Sequence, residues 1–322
     1  MAACGLELHG RGPYLLGMND HPAVRGARRS GFRTAATEAW AKAWIARMAE
    51  RSTPPLESTW VETSLGRTHV VRSPDPGTGR DVVCFPGFGT NSGWWCVAGN
   101  LTPLTQVARV WIVDVPGQPG LSAGWAPPFA RDGYDLWIEQ LVDGLGLDSV
   151  SLMGVSLGGL LAVRGSVRLG SRAERMVLLA PGGFVRPWVG LAGMAVLLRH
   201  YLNATPQTTK QFVRECVLGP QQLEPEPLAE LEDALFRFGT GFSNRSRIPP
   251  LLANGMLRAS KAPAMIIVGE SDPIFSARRT LERARRLMPN LEATESMAGH
   301  GHGLEVSGPV MELAATFIGA GP

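Results

Sequence analysis

From residue 59 onward the chain is built of short apolar runs set between turn residues, with stretches of helical period in the gaps. Trp60–Ser64 and His69–Arg72, joined at Leu65-Gly66, predict an antiparallel pair. Val82–Phe85, Val107–Val115, Ser149–Met153 and Met176–Ala180 are almost continuously apolar, as strands covered on both faces must be. After a long interruption the series resumes with Ala264–Val268 and Leu291–Met297, and a last helix is predicted near Val306–Phe317. Strands that alternate with helices predict an α/β fold, a mostly parallel central sheet flanked by helices.

The interruption, residues 184–260, has no strand alternation. Its periodicity predicts helices at Trp188–Tyr201, Thr208–Leu218, Leu228–Phe238 and Pro249–Ala259. A helical insertion between two parallel strands reads as a lid over the C-terminal edge of the sheet, where open α/β sheets bind ligands. Residues 1–33 lack a clear period and read as an irregular arm. Thr34–Arg51 predicts an amphipathic helix, with Trp40, Trp44, Ile45 and Met48 on the face that docks on the core. The expected division is therefore an arm and helix over 1–58, a core over 59–183, a helical lid over 184–260 and the rest of the core over 261–322.

Composition narrows the picture. A hydrophobic fraction of 44% and a charged fraction of 18% describe a globular protein, and 322 residues accommodate one core with an insertion. The net charge of +3 rests on arginine, since Lys42, Lys210 and Lys261 are the only lysines. Arg25–Arg33 is the densest basic stretch and reads as a solvated arm, so no nucleic-acid partner is expected. Cys4, Cys84, Cys96 and Cys216 share no short metal-ligand spacing, and their usage suits a reducing compartment. The first residues lack the basic start and apolar core of a signal peptide. The longest apolar run, Trp188 to Leu198, is too short to span a bilayer. A cytoplasmic enzyme is expected, with no metal and no cofactor.

Gly-x-Ser-x-Gly occurs twice, as Gly120-Leu121-Ser122-Ala123-Gly124 and as Gly154-Val155-Ser156-Leu157-Gly158. A nucleophilic serine needs a sharp turn between a strand and a helix, where its oxygen clears the sheet and the next backbone N–H faces a developing oxyanion. Ser156 satisfies this: Val150–Met153 runs into Gly154, and Leu157–Leu169 has helical period. Ser122 follows a Pro/Gly loop and precedes Pro127-Pro128, so it reads as a turn serine.

A serine hydroxyl becomes nucleophilic when a histidine takes its proton, and that histidine needs a carboxylate to orient it. His200, His300 and His302 are the histidines that follow Ser156. His200 falls among the lid helices. His300 and His302 share a Gly-His-Gly-His-Gly loop directly after the last strand. The loop after the preceding strand carries two carboxylates, Glu270 and Asp272, while Asp114 reads as a loop anchor.

With Phe85-Pro86-Gly87-Phe88-Gly89, Asp114-Val115-Pro116-Gly117-Gln118-Pro119-Gly120, the Ser156 elbow, and Gly269-Glu270-Ser271-Asp272 with Gly299-His300 in this order, residues 59–318 resemble the α/β-hydrolase superfamily. The resemblance is strongest to lid-bearing bacterial carboxylesterases. It implies a serine hydrolase in which Asp272 is the acid, from a G-x-x-D motif. His300 is then the base, because Glu305 follows it at the usual interval, and His302 is a neighbour. It also implies an oxyanion hole from the backbone N–H groups of Leu157 and Phe88, although Pro86-Gly87 stands where a His-Gly pair is commoner. The apolar lid then supplies Trp188, Leu197, Tyr201 and Phe212 as substrate contacts, and a hydrophobic ester is the expected substrate. An acyltransferase, cyclase or lyase with the same triad is the rival reading, and a non-catalytic binding protein is a more distant one.

Overall fold

The computed structural model describes residues 26–187, 195–196, 199–200 and 202–320. Two short strands open it, β1 (Arg28–Arg29) and β2 (Gly31–Phe32), followed by a helix over Ala35–Arg51. Thr34 caps that helix, its hydroxyl accepting from the Thr37 N–H at 3.1 Å. Ala41, Trp44, Ile45, Met48 and Ala49 are buried along one face. The indole of Trp44 reaches across to donate to Glu230 at 2.9 Å.

The sheet then begins with β3 (Glu57–Thr63) and β4 (Gly66–Arg72), the expected antiparallel pair. It continues through β5 (Asp81–Phe85), β6 (Arg109–Val113), a two-residue β7 (Trp125–Ala126) outside it, β8 (Val150–Val155) and β9 (Ala173–Leu179). After the insertion, which holds a short β10 (Phe242–Ser243), come β11 (Ala264–Gly269) and β12 (Leu291–Met297). The eight sheet strands lie in the order β12-β11-β9-β8-β5-β6-β4-β3, and β12 through β6 are parallel. Two cores sandwich the sheet. On β5, Val83 and Phe85 enter the cluster around Trp137 and Leu160, while Val82 and Cys84 enter the one around Trp44 and Leu104. Alternate residues of one strand are thus buried on opposite faces, which is why its sequence is apolar throughout.

Most of the expected arm, residues 1–25, lies outside the described residues, and the described remainder, residues 26–33, is less irregular than its composition suggests. β1 pairs with β7 and β2 with β10, so residues from the start of the chain are tied to two distant segments. The insertion contains a helix over Pro206–Phe212 that widens into a π-turn over Val213–Leu218, then a helix over Pro225–Gly241. The last expected helix is confined to Asn254–Ala259, because Pro249-Pro250 hold the preceding chain extended. Arg283 joins the two roots of the insertion: its guanidinium donates to the carbonyls of Gly183, Phe184 and Leu252 at 3.0, 2.6 and 2.6 Å, and to the Asn254 side chain at 2.9 Å. Among the described residues, no helix is long and apolar enough to cross a membrane.

Candidate active site

Parallel strands deliver their loops to one edge, and the chemistry-bearing residues follow from that. β8 is buried at every position and ends at Val155. Ser156 then takes φ 54° and ψ −113°, and the next helix starts at Leu157. A side-chain-bearing residue in this region is strained by about 1–3 kcal/mol and stays there only when its surroundings hold it. Here the Ser156 N–H donates to Leu179 O at 2.9 Å, and Ser156 O accepts from the Gly182 N–H at 2.8 Å. The flanking glycines answer to close backbone approach. A Cβ on Gly154 would lie 2.2 Å from the Gly158 carbonyl, and one on Gly158 would lie 1.9 Å from Phe85 O.

The turn after β5 runs beside this elbow. A Cβ on Gly87 would come within 3.7 Å of the Ser156 Cβ, and Phe88 follows it, half-buried. Gln118, which the motif reading passed over, fixes the turn: its carbonyl accepts from the Gly89 N–H at 2.8 Å and its amide donates to Ser246 at 3.0 Å. Only its place in the Asp114–Gly120 motif hinted at such a role. Asp114 is the anchor its position suggested. Fully buried, it accepts from the backbone N–H groups of Ser92 and Leu121 and bonds His69 at 2.9 Å. Ser122 is a turn serine whose hydroxyl donates to Asp114 O at 2.6 Å.

Beyond β11, the Asp272 Oδ1 accepts from the N–H groups of Ile274 and Phe275 at 2.7 and 3.1 Å. Its Oδ2 lies 2.8 Å from Nδ1 of His302. Glu270 instead accepts from the Ser296 hydroxyl at 3.1 Å. The bond that the family spacing led one to expect between Asp272 and His300 is absent. His300 turns into its own loop, with Nδ1 2.9 Å from Ala298 O and Nε2 2.9 Å from the Ser307 hydroxyl. A carbonyl can only accept, so Nδ1 of His300 carries the proton and both its nitrogens are engaged. By the same argument Asp272 fixes the proton of His302 on Nδ1, which leaves Nε2 as an acceptor.

Electrostatics at His302 point the same way. Burial opposes its protonation, but the charge and hydrogen bond of Asp272 and the charge of Glu305 outweigh burial, so its pKa is raised above the ordinary imidazole value. Glu305 is itself buried, and its Oε2 has no hydrogen-bond partner among the described residues. Burial pushes its carboxyl up, against the hydrogen bond from its own backbone and the charge of His302. His200 is buried in the insertion, 3.3 Å from the Thr209 hydroxyl and stacked on Phe212 at 4.7 Å. Of the expected substrate contacts, Phe212 packs with Val196 and Cys216, while Trp188, Leu197 and Tyr201 lie outside the described residues.

The chain is similar to an uncharacterized carboxylesterase, nap, of Bacillus subtilis (strain 168), with 25% identity over 281 residues that cover 82% of this chain and 87% of that one. It is also similar to carboxylesterase YbfK of the same organism, 24% identical over 283 residues, covering 83% and 90% of the two chains. The crystal structure of carboxylesterase CesB (YbfK) from Bacillus subtilis superposes with a TM-score of 0.73 at 20% identity, over 89% of this chain and 100% of that one. Naproxen esterase from Bacillus subtilis superposes with a TM-score of 0.72 at 20% identity, over 88% and 99%. These superpositions establish the α/β-hydrolase fold. The model of the alpha/beta hydrolase family matches residues 82–316, a span from within β5 to the helix beyond the histidine loop, and the chain belongs to that family.

Proposed function

We propose that the protein is a serine carboxylesterase in which Ser156 is the nucleophile, His302 the general base and Asp272 the acid that orients it. The observation that carries this reading is the Asp272–His302 bond of 2.8 Å, on the same sheet edge as a serine held at φ 54°. Nε2 of His302 takes the Ser156 proton as Oγ attacks the ester carbonyl, while Asp272 holds the Nδ1 proton and balances the imidazolium. The protonated imidazole then gives its proton to the departing alkoxide, which leaves as the alcohol. Water, deprotonated by the same nitrogen, releases the acid from Ser156.

The tetrahedral oxyanion is received by the backbone N–H groups of Leu157 and Phe88. Leu157 is the first residue of its helix, where N–H groups have no partner within the helix. Phe88 stands in the turn that Gly87 brings against Ser156. One such donor is worth on the order of 10²–10³ in turnover. Two relatives carry carboxylesterase in their names, which supports an ester as substrate. The helical insertion acts as a lid, and its apolar residues, Phe212 with Trp188, Leu197 and Tyr201, favour a hydrophobic acyl or ring group.

Hydrolysis of a series of nitrophenyl esters by the wild type and by Ser156→Ala tests the reading. Turnover that rises with acyl hydrophobicity and vanishes in Ser156→Ala is expected. Retained turnover in Ser156→Ala would refute it, as would acyl transfer to an added alcohol with no release of free acid.

A further inference from the structure

Five residues, Gly299-His300-Gly301-His302-Gly303, form a loop with little side-chain bulk to hold its shape, yet it must present one imidazole to Asp272. Its support comes from two sides. On the sheet side, Ser271 donates its N–H to His300 O at 3.0 Å, and a Cβ on Gly269 would lie 2.1 Å from Gly301 O. On the other side stands the insertion. The Gly301 N–H donates to Leu218 O at 2.8 Å and the Gly303 N–H donates to Val217 O at 2.7 Å. These two amides bracket His302, and both acceptors are the last carbonyls of the π-turn Val213–Leu218.

The approach is close along the whole contact. A Cβ on Gly301 would lie 2.7 Å from both Leu218 C and Val217 O, and one on Gly303 would lie 2.7 Å from Val217 Cγ1. Gly219 ends the π-turn at φ +63°, and a Cβ there would reach to 3.2 Å from Gly301 Cα. Cys216 is fully buried in the same turn, and burial, followed by the charges of Glu215 and Asp272, pushes its thiol up to about 11. A regular α-helical turn holds one residue fewer for the same advance, and the wider π form is a frequent device at functional sites.

We infer that the π-turn Val213–Leu218 is the positioning element of His302, so that the base meets Asp272 only while the inserted segment is docked on the histidine loop. The inference rests on His302 being the base. It makes the insertion part of the catalytic assembly as well as a cover: undocking the π-turn withdraws both backbone acceptors from the loop, and the imidazole loses its fixed orientation. Val217 and Leu218 act here through their carbonyls, as positioning residues that do not touch the substrate.

Gly303→Ala tests this, because its Cβ meets a side-chain methyl that a second substitution removes. Expected for Gly303→Ala is a fall in kcat of about 10²-fold, the usual scale for an ångström of misplacement, with KM changed far less. The acid limb of its pH profile should move downward, since His302 then loses the partner that favours its protonated form. Adding Val217→Ala should restore kcat and the acid limb together. Gly301→Ala meets Leu218 backbone, so Val217→Ala should not rescue it. Wild-type kcat and acid limb in a folded Gly303→Ala, or a fall that Val217→Ala does not reverse, overturns the inference. If Gly303→Ala does not fold, hydrogen exchange on the wild type decides: the Gly301 and Gly303 amides should open together with residues 213–218, and independent opening overturns the inference. His302→Ala separates the two levels of the argument. If it is fully active, the assignment of the base has failed. If it is dead while Gly303→Ala is unimpaired, the positioning role alone has failed.

Discussion

Replacing Asp272 by asparagine changes one atom, and the structure dictates which way the amide must turn. Oδ1 accepts two backbone N–H groups, from Ile274 at 2.7 Å and Phe275 at 3.1 Å. An NH2 group cannot sit against two donors, so the amide oxygen keeps that place and the NH2 faces His302. A donor opposite Nδ1 forces that nitrogen to accept and moves the imidazole proton to Nε2, the atom that has to take the Ser156 proton. The tautomer is then wrong for catalysis while the loop geometry is preserved. Turnover should fall by about 10⁴-fold, equivalent to about 5.5 kcal/mol of transition-state stabilisation. Stability should fall by only about 1 kcal/mol, since both backbone bonds survive and one charge-assisted bond is exchanged. Steady-state hydrolysis of a nitrophenyl ester, measured beside a thermal melt, reads both quantities. Activity within tenfold of the wild type in a folded Asp272→Asn would refute the reasoning. So would a crippled Glu270→Gln, because Glu270 is exposed and bonds Ser296.

The acid limb of kcat/KM should lie above about pH 6.5, because Asp272 and Glu305 raise the pKa of His302 and protonation of Nε2 removes the base; titration of the His302 imidazole by NMR should give the same midpoint. Glu305→Gln should move that limb downward, since one of the charges favouring the imidazolium is gone. The same variant should be the more stable protein at high pH. The Glu305 pKa is raised by folding, so the stability linked to its neutral form is present at low pH and lost as pH rises through the folded pKa. Thermal melts from pH 5 to 8 should therefore show a gap over the wild type that widens with pH. Gly158→Ala should be both unstable and inactive, because its Cβ meets the backbone at Phe85 and Pro86 on the side where the helix rests on β5, and overpacking of this kind costs about 1–3 kcal/mol or more. Gly255→Ala, with open space around its Cβ, should melt within about 1 kcal/mol of the wild type.

Strands buried on both faces were legible because each is an unbroken apolar run between turns, and so β5, β8, β9 and β11 lie almost where the pattern puts them. The elbow was legible for a local reason: strand, Gly-x-Ser-x-Gly and helix are contiguous. The arm was not, because β1 and β2 are held by β7 and β10, nearly a hundred and more than two hundred residues away. Two histidines alternate with three glycines in the base loop, so local pattern cannot separate them, and the interval to Glu305 favoured His300. Tertiary bonds separate the two and are the basis for proposing His302: His300 bonds Ser307 and Ala298, while His302 bonds Asp272 and lies between two amides bonded to the π-turn. The π-turn itself leaves no mark in the sequence, since Val213–Leu218 has ordinary helical composition.

Covalent labelling with a fluorophosphonate, followed by mass-spectrometric mapping of the adduct in the wild type, His300→Ala and His302→Ala, tests the central claim most directly. The probe reports the activated serine and its base in one measurement, independent of substrate choice. The adduct should fall on the peptide bearing Ser156 in the wild type and in His300→Ala. In His302→Ala the labelling rate should drop by on the order of 10³-fold or more, as loss of the base removes serine activation. An adduct on Ser122, or full labelling of Ser156 in His302→Ala together with its loss in His300→Ala, would contradict the account.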